Sequence, residues 1–238
     1  MENGREEFLK NHVDSPSRRR CVDLSHTVEH GMITYKGLPG PIIGDYLSRE
    51  ESRSHYAPET EFHIGKIEMV ANTGTYLDTP FHRYADGADL SELELSSIAG
   101  LEGLVIRADS RRGRSIPPEA LTTFAIEGKA VLLHTGWDAH WRKDQYSEGH
   151  PFLTGEAAQF LAKAGARLVG IDSFNIDDTA DLSRPVHSTL LRAGIPIVEH
   201  LCGLENLPDT GFMFFAVPVK VKGMGTFPVR AFALVVEE

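Results

Sequence analysis

Three short apolar runs constrain this chain more than any other feature. Leu104-Val105-Ile106, Val131-Leu132-Leu133 and Leu168-Val169-Gly170-Ile171 are each bounded by polar residues or glycine, which predicts buried strands. Between the last two lies a punctuated helix. Thr154 stands as its N-cap, Glu156 lies in the first turn, Phe160, Leu161 and Ala164 form an apolar face, and Gly165 stops it. A strand, a helix and a strand predict a parallel pair with a right-handed crossover. Further on, Ser188 is placed to cap a short helix through Leu190 and Leu191 that ends at Gly194, and a strand follows over Ile195–Glu199. Two long apolar segments, 212–221 and 229–236, flank the turn-like Lys222-Gly223-Met224-Gly225-Thr226 and predict an antiparallel hairpin. The expected class is α/β, one domain with a mixed sheet. The polar segment 1–20, ending in Arg18-Arg19-Arg20, reads as a solvated tail and 21–238 as the domain. Arg111-Arg112-Gly113-Arg114 reads as a surface loop.

Composition narrows the function classes. Lys plus Arg number 24 against 34 Asp plus Glu, a net charge of -10 that repels phosphate backbones, so no nucleic-acid partner is expected. No apolar run approaches the ~20 residues of a membrane-spanning helix. The two cysteines, Cys21 and Cys202, cannot make a disulfide framework or a Cys-rich zinc site, and free thiols fit a reducing cytoplasm. Neither a Gly-rich phosphate loop nor a Gly-x-Ser-x-Gly elbow is present.

Polar residues with chemical potential concentrate in two places. The first is Asn72-Thr73-Gly74-Thr75-Tyr76-Leu77-Asp78-Thr79-Pro80-Phe81-His82. A strand over 69–77 would put Asn72, Gly74, Tyr76 and Asp78 on one face. Thr79 can then cap a turn with Pro80 at its first position. Asp78 and His82 flank that turn, one helical rise of about 5.4 Å apart, and can converge on one point. A capped turn with a surface histidine is the alternative.

The second place is His187 and Glu199. A helix of about six residues leads away from His187 by roughly 9 Å, and four strand residues return the chain by roughly 13 Å. Glu199 sits in an otherwise apolar strand, where a carboxylate needs a partner, unless that position is an exposed edge. Asp78, His82, His187 and Glu199 together suit one divalent ion, zinc or manganese. Asp172, Asp177 and Asp178 follow a strand and read equally as site or solvated loop. His134, Trp137, His140 and Trp141 read equally as pocket wall or core.

From about Asp23 to the C-terminus the chain resembles the metal-dependent cyclase family, the group of the bacterial kynurenine formamidases (arylformamidases) and isatin hydrolases. Asp23-Leu24-Ser25-His26 with Gly31-Met32 is similar to the family's first strand and loop. Gly74, Thr75, Asp78, Pro80 and His82 match its signature His-x-Gly-Thr-His-x-Asp-x-Pro-x-His. His134-Thr135-Gly136-Trp137, Gly170-Ile171-Asp172-Ser173 and the His187/Glu199 pair also fall where the family would place them. Asn72 and Tyr76 stand in place of the signature's first two histidines, which bind metal in the family.

The resemblance implies a swivelling β/β/α, cyclase-like fold, homodimers or homotetramers, and hydrolysis of a small amide or cyclic amide or ester by a metal-activated water. It leaves Asp78, His82, His187 and Glu199 to hold one ion where the family has room for two. His82 or Glu199 would serve as base, and Tyr76 as a donor to the oxyanion. His26, Tyr35, Asn72 and Trp137 would meet the substrate. The alternative is a non-catalytic relative that binds a small ligand at a degenerate metal site.

Overall fold

The computed structural model describes residues 19–108 and 113–236. Of the expected tail, positions 1–18 lie outside the described residues, as do Arg111 and Arg112 of the expected loop. The strands are β1 (Arg19–Asp23), β2 (Ile42–Leu47), β3 (Ile64–Glu68), β4 (Tyr76–Asp78), β5 (Ala99–Arg107), β6 (Ser115–Ile116), β7 (Ala130–His134), β8 (Phe152–Leu153), β9 (Leu168–Ile171), β10 (Ile197–Glu199), β11 (Phe212–Phe215), β12 (Thr226–Pro228) and β13 (Phe232–Val236). The helices are α1 (Arg49–Ser52), α2 (Pro80–Arg83), α3 (Gly155–Lys163) and α4 (Pro185–Arg192).

The three apolar runs form the middle of a mixed sheet whose order is β1-β13-β11-β5-β7-β9-β10-β4-β12. Strands β5, β7, β9 and β10 run parallel, and the flanking pairs are antiparallel. The runs are apolar throughout because both faces of these strands are covered. Val105, Leu132 and Leu168 face a core that includes Phe212 and Phe214 from β11 and Val235 from β13, so the sheet curls over itself there. Leu104, Ile106, Val131, Leu133, Val169 and Ile171 face the opposite way, onto Ala157, Ala158 and Leu161 of α3 and Val186, Leu190 and Leu191 of α4. Helix α3 joins the parallel strands β7 and β9 as expected, capped by the Thr154 hydroxyl accepting from Ala157 N, with Gly165 left-handed beyond its end.

Three local expectations are corrected. Helix α4 begins at Pro185, so Ser188 lies inside it. The Asp177 carboxylate accepts from Val186 N (2.7 Å) and His187 N (3.1 Å), and a cap supplied across a loop leaves no local signature. Second, of the expected strand 69–77 only Tyr76 and Leu77 lie in a strand, which continues to Asp78. Gly74 is left-handed (φ 66°) and donates its N–H to Thr34 Oγ1, so Asn72 and Gly74 reach their places from a bend and not from a shared strand face.

Third, β11 and β13 pair as a hairpin would, but both are shorter than expected, and the chain between them crosses to the far edge of the sheet. There β12 pairs with β4, and Gly225 O accepts from Thr79 N (2.7 Å). A β-carbon on Gly225 would overlap the backbone N and Cα of His82, so glycine is required for this close approach. Gly225→Ala is expected to cost about 1–3 kcal/mol. At roughly 2–4 °C per kcal/mol for a chain of this size, the loss is readable as a lowered thermal midpoint; an unchanged midpoint would show that α2 moves aside freely.

Candidate active site

Sheet order brings the two polar places together. Strand β10 lies beside β4 with Glu199 opposite Tyr76, while α2 and α4 run over the same end and deliver His82 and His187. Nε2 of His187 stands 3.6 Å from Asp78 Oδ2 and 3.8 Å from Glu199 Oε1. Nδ1 of His82 stands 3.6 Å from Asp78 Oδ1, and the rings of His82 and His187 are 6.0 Å apart. All four proposed ligands therefore cluster, with Asp78, His187 and Glu199 buried and His82 open to solvent. Ligand atoms of Asp78, His82 and His187 lie within 4.8 Å of one another.

Each ring nitrogen has a definable job. The Asp177 carboxylate accepts a hydrogen bond from Nδ1–H of His187 at 2.6 Å, so Nε2 is the nitrogen that faces Asp78 and Glu199. The Thr226 hydroxyl has one proton and donates it to Asp78 Oδ1; it must then accept from Nδ1–H of His82, 2.7 Å away. That assignment leaves Nε2 of His82 bare, as a base or a ligand needs.

Burial opposes charging of the His187 imidazole, but Glu199, Asp177 and Asp78 outweigh it and raise its pKa above the ordinary value. Burial also raises the Glu199 carboxyl, against the pull of His187. The proton on His187 thus stands where a cation would neutralise two buried carboxylates. Asp78 Oδ2 is buried with no hydrogen-bond partner. An orphaned oxygen, a second carboxylate and an oriented imidazole fit a divalent ion.

Tyr76 is buried in the site wall, and burial first, then the charge of Glu199, holds its phenol well above its ordinary pKa. Its hydroxyl donates to Glu199 Oε2 at 2.6 Å. In this arrangement the Tyr76 hydroxyl proton is given to Glu199, which makes Tyr76 a clamp on that carboxylate. Ile176 N donates to Glu199 Oε1 at 2.7 Å.

Above these groups opens a pocket of about 250 Å³, lined in part by Tyr35, Asn72, Tyr76, His82, His187 and Glu199. Tyr35 donates to Phe174 O and accepts from Asn175 Nδ2. His26 and Trp137 do not line it. The His26 ring stacks on Trp141 at 3.9 Å, and the Trp137 indole donates to Tyr146 O at 2.9 Å. Asp177, which reads equally as site or loop from the sequence, is fully buried. Thr226, Asn175, Arg83 and Arg184 join the site without being marked in the sequence: Thr226 bonds Asp78 and His82, and the other three line the pocket. The position of Asn175 just beyond the C-terminal end of β9 was the available signal.

No helix among the described residues is long and apolar enough to cross a membrane. Two kynurenine formamidases, from Bacillus cereus and Bacillus cytotoxicus, are 29% and 30% identical to this chain over 211 residues, covering 88% of it and 95% of each relative. The structure of isatin hydrolase A from Labrenzia aggregata superposes with a TM-score of 0.79 at 24% identity, covering 92% of this chain and 94% of that one, which establishes a shared fold. The profile of the Cyclase family matches residues 22–178, and with the signature residues Asp78, Pro80 and His82 inside that span the chain belongs to this family.

Proposed function

We propose that the chain is a metal-dependent hydrolase of a small amide, formamide or cyclic amide or ester, working with one zinc or manganese ion. The observation that carries this reading is His187: its Nδ1 is locked on Asp177 while its Nε2 faces Asp78 and Glu199. Asp78, His187 and Glu199 hold the ion, with His82 beside them. When bound, the ion acidifies a water and polarises the substrate carbonyl. His82 Nε2 takes the water's proton and returns it to the leaving nitrogen or oxygen. Thr226 keeps His82 in that tautomer, and Tyr76 and Ile176 hold Glu199. The relatives named above support an amide as substrate.

Elemental analysis of the purified protein should find about one divalent ion per chain. Formanilide-type amides, isatin-like lactams or lactones should be hydrolysed, and chelation should abolish the rate until zinc or manganese is restored. Hydrolysis that survives complete chelation would refute the metal role.

A homo-oligomer in the cytoplasm is also proposed. The two free cysteines suit that compartment. The C-terminal strands send Phe212, Phe214, Ala233 and Val235 into the core, so the surplus apolar surface lies elsewhere. It lies on the ribbon of β2 and β3, where Ile42, Ile43, Ile64 and Ile67 are all exposed and Tyr46 is 76% exposed. A two-stranded ribbon is marginal alone, and a second copy of the chain would cover it. Sedimentation should show a species heavier than 26.3 kDa, moved toward that mass by Ile42→Lys with Ile67→Lys. A wild-type chain sedimenting only at the single-chain mass would refute it.

A further inference from the structure

We propose that the substrate carries a carboxylate, which Arg83 and Arg184 hold at the pocket wall. This rests on the hydrolase reading for the reacting group only. Both arginines line the same pocket as His82 and His187. Their positions in the chain explain why. Arg83 follows His82 in α2, and Arg184 immediately precedes α4, three residues before His187. The two elements that bring the imidazoles together therefore also bring two arginines to the wall of one small cavity.

Both charges lack a carboxylate partner among the described residues. The Arg83 Nε donates to Ser188 Oγ at 3.3 Å and the Arg184 Nη1 to the carbonyl of Asp178 at 3.3 Å, both neutral acceptors. Other arginines of this acidic chain have found carboxylates: Arg53 with Glu61 at 2.7 Å, Arg107 with Asp209 at 2.8 Å, Arg142 with Glu29 at 2.6 Å and Arg230 with Asp23 at 2.7 Å. Asp181 feels the Arg184 charge, but the two form no ion pair within 4.0 Å. Arg184 also holds a left-handed backbone (φ 50°, ψ 61°), a conformation that disfavours any residue with a β-carbon. Residues held in such conformations cluster at active sites and ligand clamps, and Arg184 holds its own at the pocket wall.

A net charge of -10 repels an anion at long range, so an anionic substrate needs a local positive site to enter. The planar guanidinium matches a carboxylate with two parallel hydrogen bonds. A singly charged carboxylate suits this pocket better than a phosphate, since Asp78, Asp177 and Glu199 already place negative charge beneath it.

Binding tests this without turnover. Metal-loaded protein is titrated calorimetrically with benzoate, benzamide and phenyl phosphate. Benzoate should bind at least about tenfold more tightly than benzamide, and Arg83→Gln and Arg184→Gln should each remove about tenfold from benzoate alone. Unchanged benzamide binding shows that the variants are folded. Equal affinity of wild type for benzoate and benzamide, including no measurable binding of either, overturns the proposal. So does a benzoate preference that survives both substitutions, because the anion then sits on the ion. Tighter binding of phenyl phosphate than of benzoate overturns the carboxylate assignment. Arg-dependent benzoate binding by a protein that hydrolyses no amide or ester leaves this proposal standing and removes the hydrolase reading.

Discussion

His187→Ala is expected to empty the metal site and to lower kcat/KM by about 10³-fold or more, roughly 4 kcal/mol of transition-state stabilisation. One imidazole does three things here. Its Nε2 lies between Asp78 and Glu199, its Nδ1 engages Asp177, and its protonated form neutralises these carboxylates when no ion is bound. Removing it leaves three buried carboxylates without a cation. Losing one partner of a buried ion pair typically costs about 3–5 kcal/mol. The variant should therefore also unfold earlier, and metal affinity must be measured below its own unfolding midpoint. An alanine variant that is folded and retains wild-type zinc or manganese affinity would mean that the ion sits elsewhere. His82→Ala separates the two roles: a base contributes about 10²–10⁴-fold to rate, so a large fall in rate with near-normal metal content identifies His82 as base.

The residues that were legible in the sequence are those whose environment is set by nearby chain. Val131–Leu133 and Leu168–Ile171 announce buried parallel strands because both their faces are covered, one by α3 and α4 and the other by β11 and β13. The approach of Glu199 to His187 was legible because a short helix and a return strand bring the chain back by simple geometry. Asp78 joins them only through the adjacency of β10 and β4, which no local pattern encodes. The start of α4 was misplaced because its capping carboxylate, Asp177, lies eight residues before Pro185. Thr226 looked like part of a tight turn, since nothing in Lys222–Thr226 reveals that it crosses the sheet to bond Asp78 and His82. Arg83 and Arg184 fit no periodicity or motif, and their meaning appears only when α2 and α4 meet.

The double change Asn72→His with Tyr76→His is expected to raise zinc affinity by several kcal/mol and to raise the bound stoichiometry from about one ion per chain toward two. Both positions line the pocket beside the ligand cluster, and Tyr76 shares its strand face with Asp78. As they stand, an amide and a phenol offer little to a cation. Burial keeps the Tyr76 proton on, and that proton is given to Glu199 at 2.6 Å. The phenol also fills volume that an ion would need. Two imidazoles would supply nitrogen donors and vacate part of that space. The oxygen-rich wild-type set should correspondingly favour manganese over zinc more than the double variant does. The Tyr76→His half removes the clamp on Glu199, so Tyr76→Phe is the control: it loses the hydrogen bond without adding a ligand and should weaken binding or leave it unchanged. Zinc and manganese titrations of the three proteins by calorimetry decide the matter. Equal zinc affinity and stoichiometry in wild type and double variant would mean that positions 72 and 76 do not face the ion, and that Asn72 and Tyr76 shape only the organic part of the site.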